Sequence, residues 1–296
     1  MLEQAIRDRA AIHAAVRLLV DEHPGVVRMC RTQLLAWGES AREELIAASE
    51  SEHARLRVRA RALITSLDLR AWLEGFSSRI TTDRGVDGDN LLEVALEKLV
   101  EFVGHVHGDR AAFAAILESI AADLRAHVNG RGSRCAARRI AELFTSRFEL
   151  RGSRRLPKDR LAWLPDRVLA SGQGPSSVLA ALYLVIGRRA GLTLTPVLLP
   201  EFILIRIHGA RRILIDPYHN GRTVTRHDCF RFLLRRERLG VGQSRRSLDD
   251  ADDAEVLDRV LEDLILIHDR PEHGEVRDIL RAARAALEPA YGRLFG

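Results

Sequence analysis

The run GPSSVLAALYLVIGRRAGL (174–192), followed by TPVLLPEFILIRI (195–207), HGAR (208–211) and RILIDPYHNGR (212–222), decides the fold. A tight Ser/Gly turn opens an apolar helix, and Gly191 sits where a C-cap would close it. The two Ile/Leu/Val-rich runs that come next flank a short Gly turn. They predict an antiparallel hairpin with a buried face.

On the C-terminal side, His227–Leu234 reads as a helix. Arg235–Arg246 is basic and Asp249–Glu255 (DDADDAE) is acidic, and both read as a solvated hinge. Val256–Leu287 holds two helices split near Pro271–Gly274. On the N-terminal side, Leu161–Ala170 is a short helix, and FELRGSRRLPKDR (148–160) is a loop with short extended pieces. Leu91–Val103 has an apolar face at Leu92, Ala95, Leu96, Leu99 and Phe102. Asp109 caps a helix running to about Val128, Gly130–Gly132 breaks it, and Ala136–Phe144 forms another. Ser78–Asn90 is rich in Thr, Asp and Gly and reads as a loop.

The first ~70 residues show helices at a 3.6-residue period. Ile6, Ile12, Val16, Leu19 and Val20 form one stripe. Gly38 ends the next helix, and Ser40 is placed to cap Ala41–Ala48. A Glu-His pair precedes a Val/Arg/Leu-rich helix at Glu22 and again, thirty residues later, at Glu52. This pattern resembles degenerate HEAT-type helical repeats, whose paired helices stack on neighbours to bury their apolar faces.

The composition excludes several function classes. With 296 residues, 46% hydrophobic and 29% charged, the chain can bury a core of about two domains. Aromatics are 5%, too few for a stacking platform on single-stranded nucleic acid. The net charge is +5, and all but two of the 46 basic residues are Arg, the exceptions being Lys98 and Lys158. So dilute a positive charge makes nucleic acid an unfavoured partner. No apolar run approaches the ~18 residues of a membrane span, and MLEQAIRDRA lacks a signal-peptide core. Cys30, Cys135 and Cys229 are too few and too scattered for a disulfide framework or a Cys-only zinc site, which fits a reducing, cytoplasmic setting.

The order of helix, Ser/Gly turn, apolar helix and hairpin with an Ile-Asp-Pro end resembles the transglutaminase-like, papain-related arrangement, in particular bacterial proteins of the SirB type. The likeness is carried by LLEVALEKLVEFVGHVHGDRAAFAAILESIAADLRAHV (91–128), ELFTSRFELRGSRRL (142–156), GPSSVLAALYLVIGRRAGL and the LPEFILIRI…ILIDPYHNGRTVTRHDC region. The tail LEDLILIHDRPEHGEVRDILRAARAALEP (261–289) resembles that family's terminal tetratricopeptide-like helix pair. The resemblance covers about residues 91–290. It implies an α+β, mostly helical fold: a HEAT-like segment at 1–80, a SirB-type domain at 91–234 (helical part 91–150, core 151–234) and a helix pair at 247–296.

The resemblance also implies a catalytic arrangement: a Cys at the N-terminus of the buried helix, a His on the first hairpin strand and an orienting Asp on the second. Here the helix opens with Ser176 and Ser177. The family's Pro-Gly-His-Phe reads Leu199-Pro200-Glu201-Phe202, and the acid is Asp216. A Ser hydroxyl is a poor nucleophile without a base whose pKa lies near 7. Raising a Glu from ~4.3 to serve as that base requires a shift of ~2–3 units. The expectation is therefore a vestigial triad of Ser176, Glu201 and Asp216, with Glu201 paired to Arg206 or Arg222, and a cleft at Ser176, Ser177, Glu201 and Asp216 that retains ligand binding. No cofactor or metal is expected. His219, His227, Asp228 and Cys229 offer mixed ligands, but their spacing fits no zinc pattern. His105 and His107 read as non-ligands, and His208 as remote from the helix. Cys229 falls near a helix start, which could lower its pKa, although a buried structural thiol is the commoner case. The functional expectation is a catalytically degenerate protein- or peptide-binding scaffold. The rivals are a Ser- or Cys-dependent hydrolase or acyltransferase, and an Arg-mediated nucleic-acid binder.

Overall fold

The structure, a computed structural model, describes residues 2–83, 91–105, 108–153, 155–235 and 248–287. It divides into two compact units, Met1–Glu74 and Gly75–Gly296. The basic stretch 236–246, residues 84–90 of the expected loop, and His107 lie outside the described residues.

The first unit contains α1 (Leu2–Arg17), α2 (Pro24–Trp37), α3 (Arg42–Ser49) and the start of α4 (Ala54–Asp83). Its core is built by Ile12, Val16, Leu19, Leu34, Leu45 and Leu63. The repeated Glu-His pair has a local cause. The His23 ring accepts the Gly25 N–H at α2, and the His53 ring accepts the Leu56 N–H at α4. Two residues earlier, Asp21 and Ser51 accept the N–H of His23 and His53. The same capping device thus opens both helices and satisfies donors that a helix start leaves orphaned. Gly38 closes α2 at φ 58°. Ser40 does not cap α3: it lies inside a 3-10 turn, Gly38–Ala41, which delays the helix to Arg42. The expected loop at 78 also starts later, because α4 continues to Asp83.

In the second unit, α5 (Leu91–Val100), α6 (Arg110–Val128), α7 (Ser133–Glu142) and α8 (Pro165–Ser171) precede the central α9 (Ser176–Arg189). Asp109 caps α6 as expected, accepting the N–H groups of Ala111 and Ala112. Short strands β1 (Arg151–Gly152) and β2 (Gln173–Gly174) pair in parallel. A four-stranded antiparallel sheet follows in the order β3 (Leu194–Leu198), β4 (Ile203–Ile207), β5 (Ile213–Asp216) and β6 (Arg222–Val224). The run 195–207 is therefore two strands, not one. Pro200 has no N–H for a ladder, and Leu199 bonds Phe202 to close a tight turn there.

Register assigns the sheet's two faces. Leu204, Arg206, Leu214 and Val224 share one, and this face packs with Cys229 and Leu233 of α10 (Arg226–Arg235). The other face, with Ile203, Ile205 and Ile215, lies against α9. Every residue of α9 from Ser177 to Gly187 is buried, so α9 is the core of this unit, enclosed by α5, α6, α8, the sheet and α11 (Asp253–Ile267). The helix α12 (Gly274–Ala285) follows a 3-10 turn at Pro271–His273 and packs on α11. Part of the acidic 249–255 run is not a solvated hinge. Asp252 and Glu255 form a reciprocal cap on α11, and Asp253 is buried against Arg188. The architecture is α+β and mostly helical. Among the described residues, no helix is long and apolar enough to cross a membrane.

Burial holds the Asp253 carboxyl above the usual carboxylate range, even though both its oxygens take Arg188 at 2.8 Å. Replacing Arg188 by Met leaves that carboxylate without its cation and should lower stability at pH 7 by about 3 kcal/mol, measured by urea denaturation. The native state holds this proton more tightly than the unfolded chain, so the Asp253 contribution to stability falls as pH rises above ~3.9. The fall should be steeper in Arg188→Met, and a pH-independent loss would contradict this account.

Candidate functional site

The site is organised by the turn after β5. Asp216 ends that strand and is 2% exposed. Its Oδ1 accepts the His219 N–H at 3.2 Å, and its Oδ2 lies 2.6 Å from His219 Nδ1. Arg222, its partner across the β5–β6 register, donates to the same Oδ2 from Nε at 3.3 Å and approaches it with Nη2 at 3.2 Å. Pro217 starts a 3-10 turn, and Asn220 and Gly221 reverse the chain at φ 60° and 65°. A Cβ at Gly221 would lie 2.8 Å from the Ala141 Cβ and 3.2 Å from the Tyr183 hydroxyl, so only glycine fits this return.

The turn between β3 and β4 supplies the facing wall. Phe202 points inward and sets its ring 5.1 Å from both the Tyr218 and His219 rings and 6.1 Å from Phe232. Together these residues enclose a cleft of about 270 Å³, lined by Phe202, Leu204, Asp216, His219, Arg222, Cys229 and Phe232, among others.

Of the four residues expected to line a cleft, Asp216 lines this one. Glu201 is exposed, because the tight turn that brings Phe202 inward leaves its predecessor outside. Arg206 donates to Asp250 and the Leu248 carbonyl, and Arg222 to Asp216. Ser176, the first residue of α9, accepts the Ile203 N–H on its Oγ at 2.9 Å and so ties the helix start to β4. Ser177 is 2% exposed and donates to Asp263 of α11 at 2.5 Å. Burial holds the Asp263 carboxyl above its usual range.

Sequence reading missed His219. It follows the acid instead of preceding it, so it fails the family's strand order. The available signal was local: in Asp-Pro-Tyr-His, the fourth residue of a 3-10 turn returns to the first. An imidazole therefore does sit on the acid, but one supplied by a turn and not by the first hairpin strand.

Cys229 lies at the fourth residue of α10 and is 4% exposed. Its expected helix-start activation does not occur. Burial first, then Asp228 and Asp216, push the thiol up to about 11, so it is protonated at neutral pH. His227 and Asp228 are exposed, and Asp228 caps α10 in a reciprocal pair with Thr225. His208 bonds Thr195. The His105 side chain packs against Asp166, with Nε2 2.5 Å from its carboxylate. Among the described residues, no group of three or more His, Cys, Asp or Glu could hold a metal ion.

All three cysteines are free, and only Cys135 is partly exposed. Burial also raises the Cys30 thiol. In the folded protein at pH 8, a chromogenic disulfide reagent should modify Cys135 first, with Cys30 and Cys229 reacting only on unfolding. Rapid modification of Cys229, located by peptide mapping, would show an activated thiol instead.

Residues 111–262, about half of the chain, match the family model described as the Transglutaminase-like superfamily. Protein SirB1 of Salmonella typhimurium is 36% identical over 104 residues, which is 34% of this chain and 38% of that protein. Protein SirB1 of Salmonella typhi matches to the same extent. The chain thus spans 38% of the length of these curated relatives. No solved structure matches.

Proposed function

The chain belongs to the transglutaminase-like superfamily, and from that premise we propose that it is a catalytically silent member that serves as a protein- or peptide-binding scaffold in the cytoplasm. One observation carries this reading. The hydroxyl at the start of α9, where the family resemblance places the nucleophile, holds the backbone of β4 through the Ile203 N–H. Ser176 does not line the cleft that contains Asp216 and His219. That cleft keeps an apolar wall, a cation and an imidazole, which suit a bound side chain of a partner.

The helical parts supply further surface. The capping device repeated at His23 and His53 supports a HEAT-like organisation of the first unit, and the packed pair α11–α12 supports a tetratricopeptide-like one at the other end. Such pairs present extended faces to partners. The free cysteines suit a reducing compartment.

A second reading rests on a specific juxtaposition: Cys229, His219 and Asp216 line the same cleft. This is the ingredient list of a thiol hydrolase or acyltransferase, opposed by the raised thiol pKa.

The experiment has two arms. Purified protein is assayed on a glutaminyl peptide amide and an aryl ester, beside Ser176→Ala and Cys229→Ala. The scaffold reading expects all three to match the buffer rate; turnover lost in either variant would overturn it. In the second arm, a photo-crosslinking residue replaces Arg222 at the cleft rim in cells. A reproducible protein adduct, lost when Phe202→Ala is introduced into the same chain, supports binding, and its absence counts against it.

A further inference from the structure

A second cavity, of about 460 Å³, shares only Val224 with the cleft. It has a basic lining drawn from three separate segments. In the sheet register Arg206 stands opposite Leu214, and Leu214 opposite Val224, so all three occupy one face. Arg212, just before β5, and Arg226, the first residue of α10, line the same cavity.

Arg206 is 6% exposed and fixed from below: its guanidinium donates to Asp250 and, at 2.6 Å, to the Leu248 carbonyl. Arg212 and Arg226 are exposed and have no carboxylate partner among the described residues. Their field reaches the buried groups beside them. Burial lowers the proton affinity of Arg206, and Arg226 and Arg212 lower it further. His208, bonded to Thr195 and 3.8 Å from Asp250, is lowered by burial, then by Arg206 and Arg212. Two aspartates also line the cavity: Asp250, held by Arg206, and Asp249, which supports the Arg206 charge. The Thr225 hydroxyl at the cavity rim is engaged by Asp228. Three guanidinium groups line this cavity against two carboxylates, one of which already holds Arg206, so a multiply charged anion seated there would be attracted by the two Arg that remain.

We propose that this cavity is a binding site for a phosphoryl group, with Arg212 and Arg226 as direct ligands of its oxygens and Arg206 as a fixed positive floor. Guanidinium forks match the oxygens of a phosphate bidentately. A dianion also gains more from two spare cations than a monovalent carboxylate, which would meet Asp249 with less compensation. The site is separate from the cleft, and its existence does not depend on whether the protein is a scaffold or an enzyme.

The test is isothermal titration, with thermal melting in parallel, at fixed ionic strength. The probes are pyrophosphate, a phosphoserine peptide and its unphosphorylated counterpart, with chloride as control. Saturable binding of a phosphorylated probe, weakened at least tenfold in both Arg212→Gln and Arg226→Gln, is the expected result. Both residues are exposed, and circular dichroism confirms that the variants fold. Tighter binding of pyrophosphate points to a small phosphorylated molecule, and tighter binding of the phosphopeptide to a modified protein side chain. No saturable binding at millimolar concentration, equal binding of the unphosphorylated peptide, or binding unchanged in both variants would overturn the proposal.

Discussion

A helix buried on all sides must satisfy its polar groups inside the protein, and the second unit is arranged around that demand on α9. Its neighbour α11 runs alongside it and provides a carboxylate at each end. Asp263 takes the Ser177 hydroxyl near the start of α9, and Asp253 takes the Arg188 guanidinium near its end. Arg189 is drawn the other way, to Glu93 of α5 and the Ala114 carbonyl of α6. Both aspartates are buried enough for desolvation to raise their pKa above the usual range. Each is tolerable because it is paired or hydrogen-bonded, and removal of either partner would leave an uncompensated polar group in the core. The acidic run before α11 is thus part of the core's anchoring, although its composition alone looks like solvated surface.

The same demand governs the start of α9. A residue there that acts as a nucleophile has to be exposed to the reacting centre. Ser176 and Ser177 instead face the two layers that enclose the helix, one joined to β4 and the other to α11. Their chemistry is that of structural hydroxyls. The Cys229 thiol, which does line the cleft, is kept neutral by its burial and by carboxylates nearby.

Much of the framework was legible in the sequence because it rests on local rules. Asp109 as a cap, the left-handed glycines at Gly38 and Gly191 and the apolar α9 all depend on neighbours within a turn or two. The break at Pro200 was misread because a strongly apolar run outweighed one missing N–H. The site was less legible, because its geometry is set by which residue a turn directs inward. At 199–202 the turn selects Phe202 over Glu201, and at 216–219 it folds His219 back onto Asp216. Charge at Asp253 and Arg206 was also hidden, since burial and pairing with distant segments have no local pattern.

The presence of an Asp–His pair does not by itself argue for turnover. Asp216 accepts a backbone N–H from His219, and its own carbonyl accepts the Gly221 N–H at 2.9 Å. Its carboxylate also anchors Arg222 at the start of β6. These bonds hold a turn in which Asn220 and Gly221 must both adopt positive φ. The Asp216 carboxylate therefore has a structural part in the turn, whether or not any substrate is cleaved. The imidazole follows from the same turn, because a residue three positions on is the one that a 3-10 turn returns to its start. What distinguishes an enzyme from a binding module here is a reactive atom opposite the pair. On the scaffold reading proposed above, the protonated thiol and aromatic walls of the cleft hold a partner's side chain.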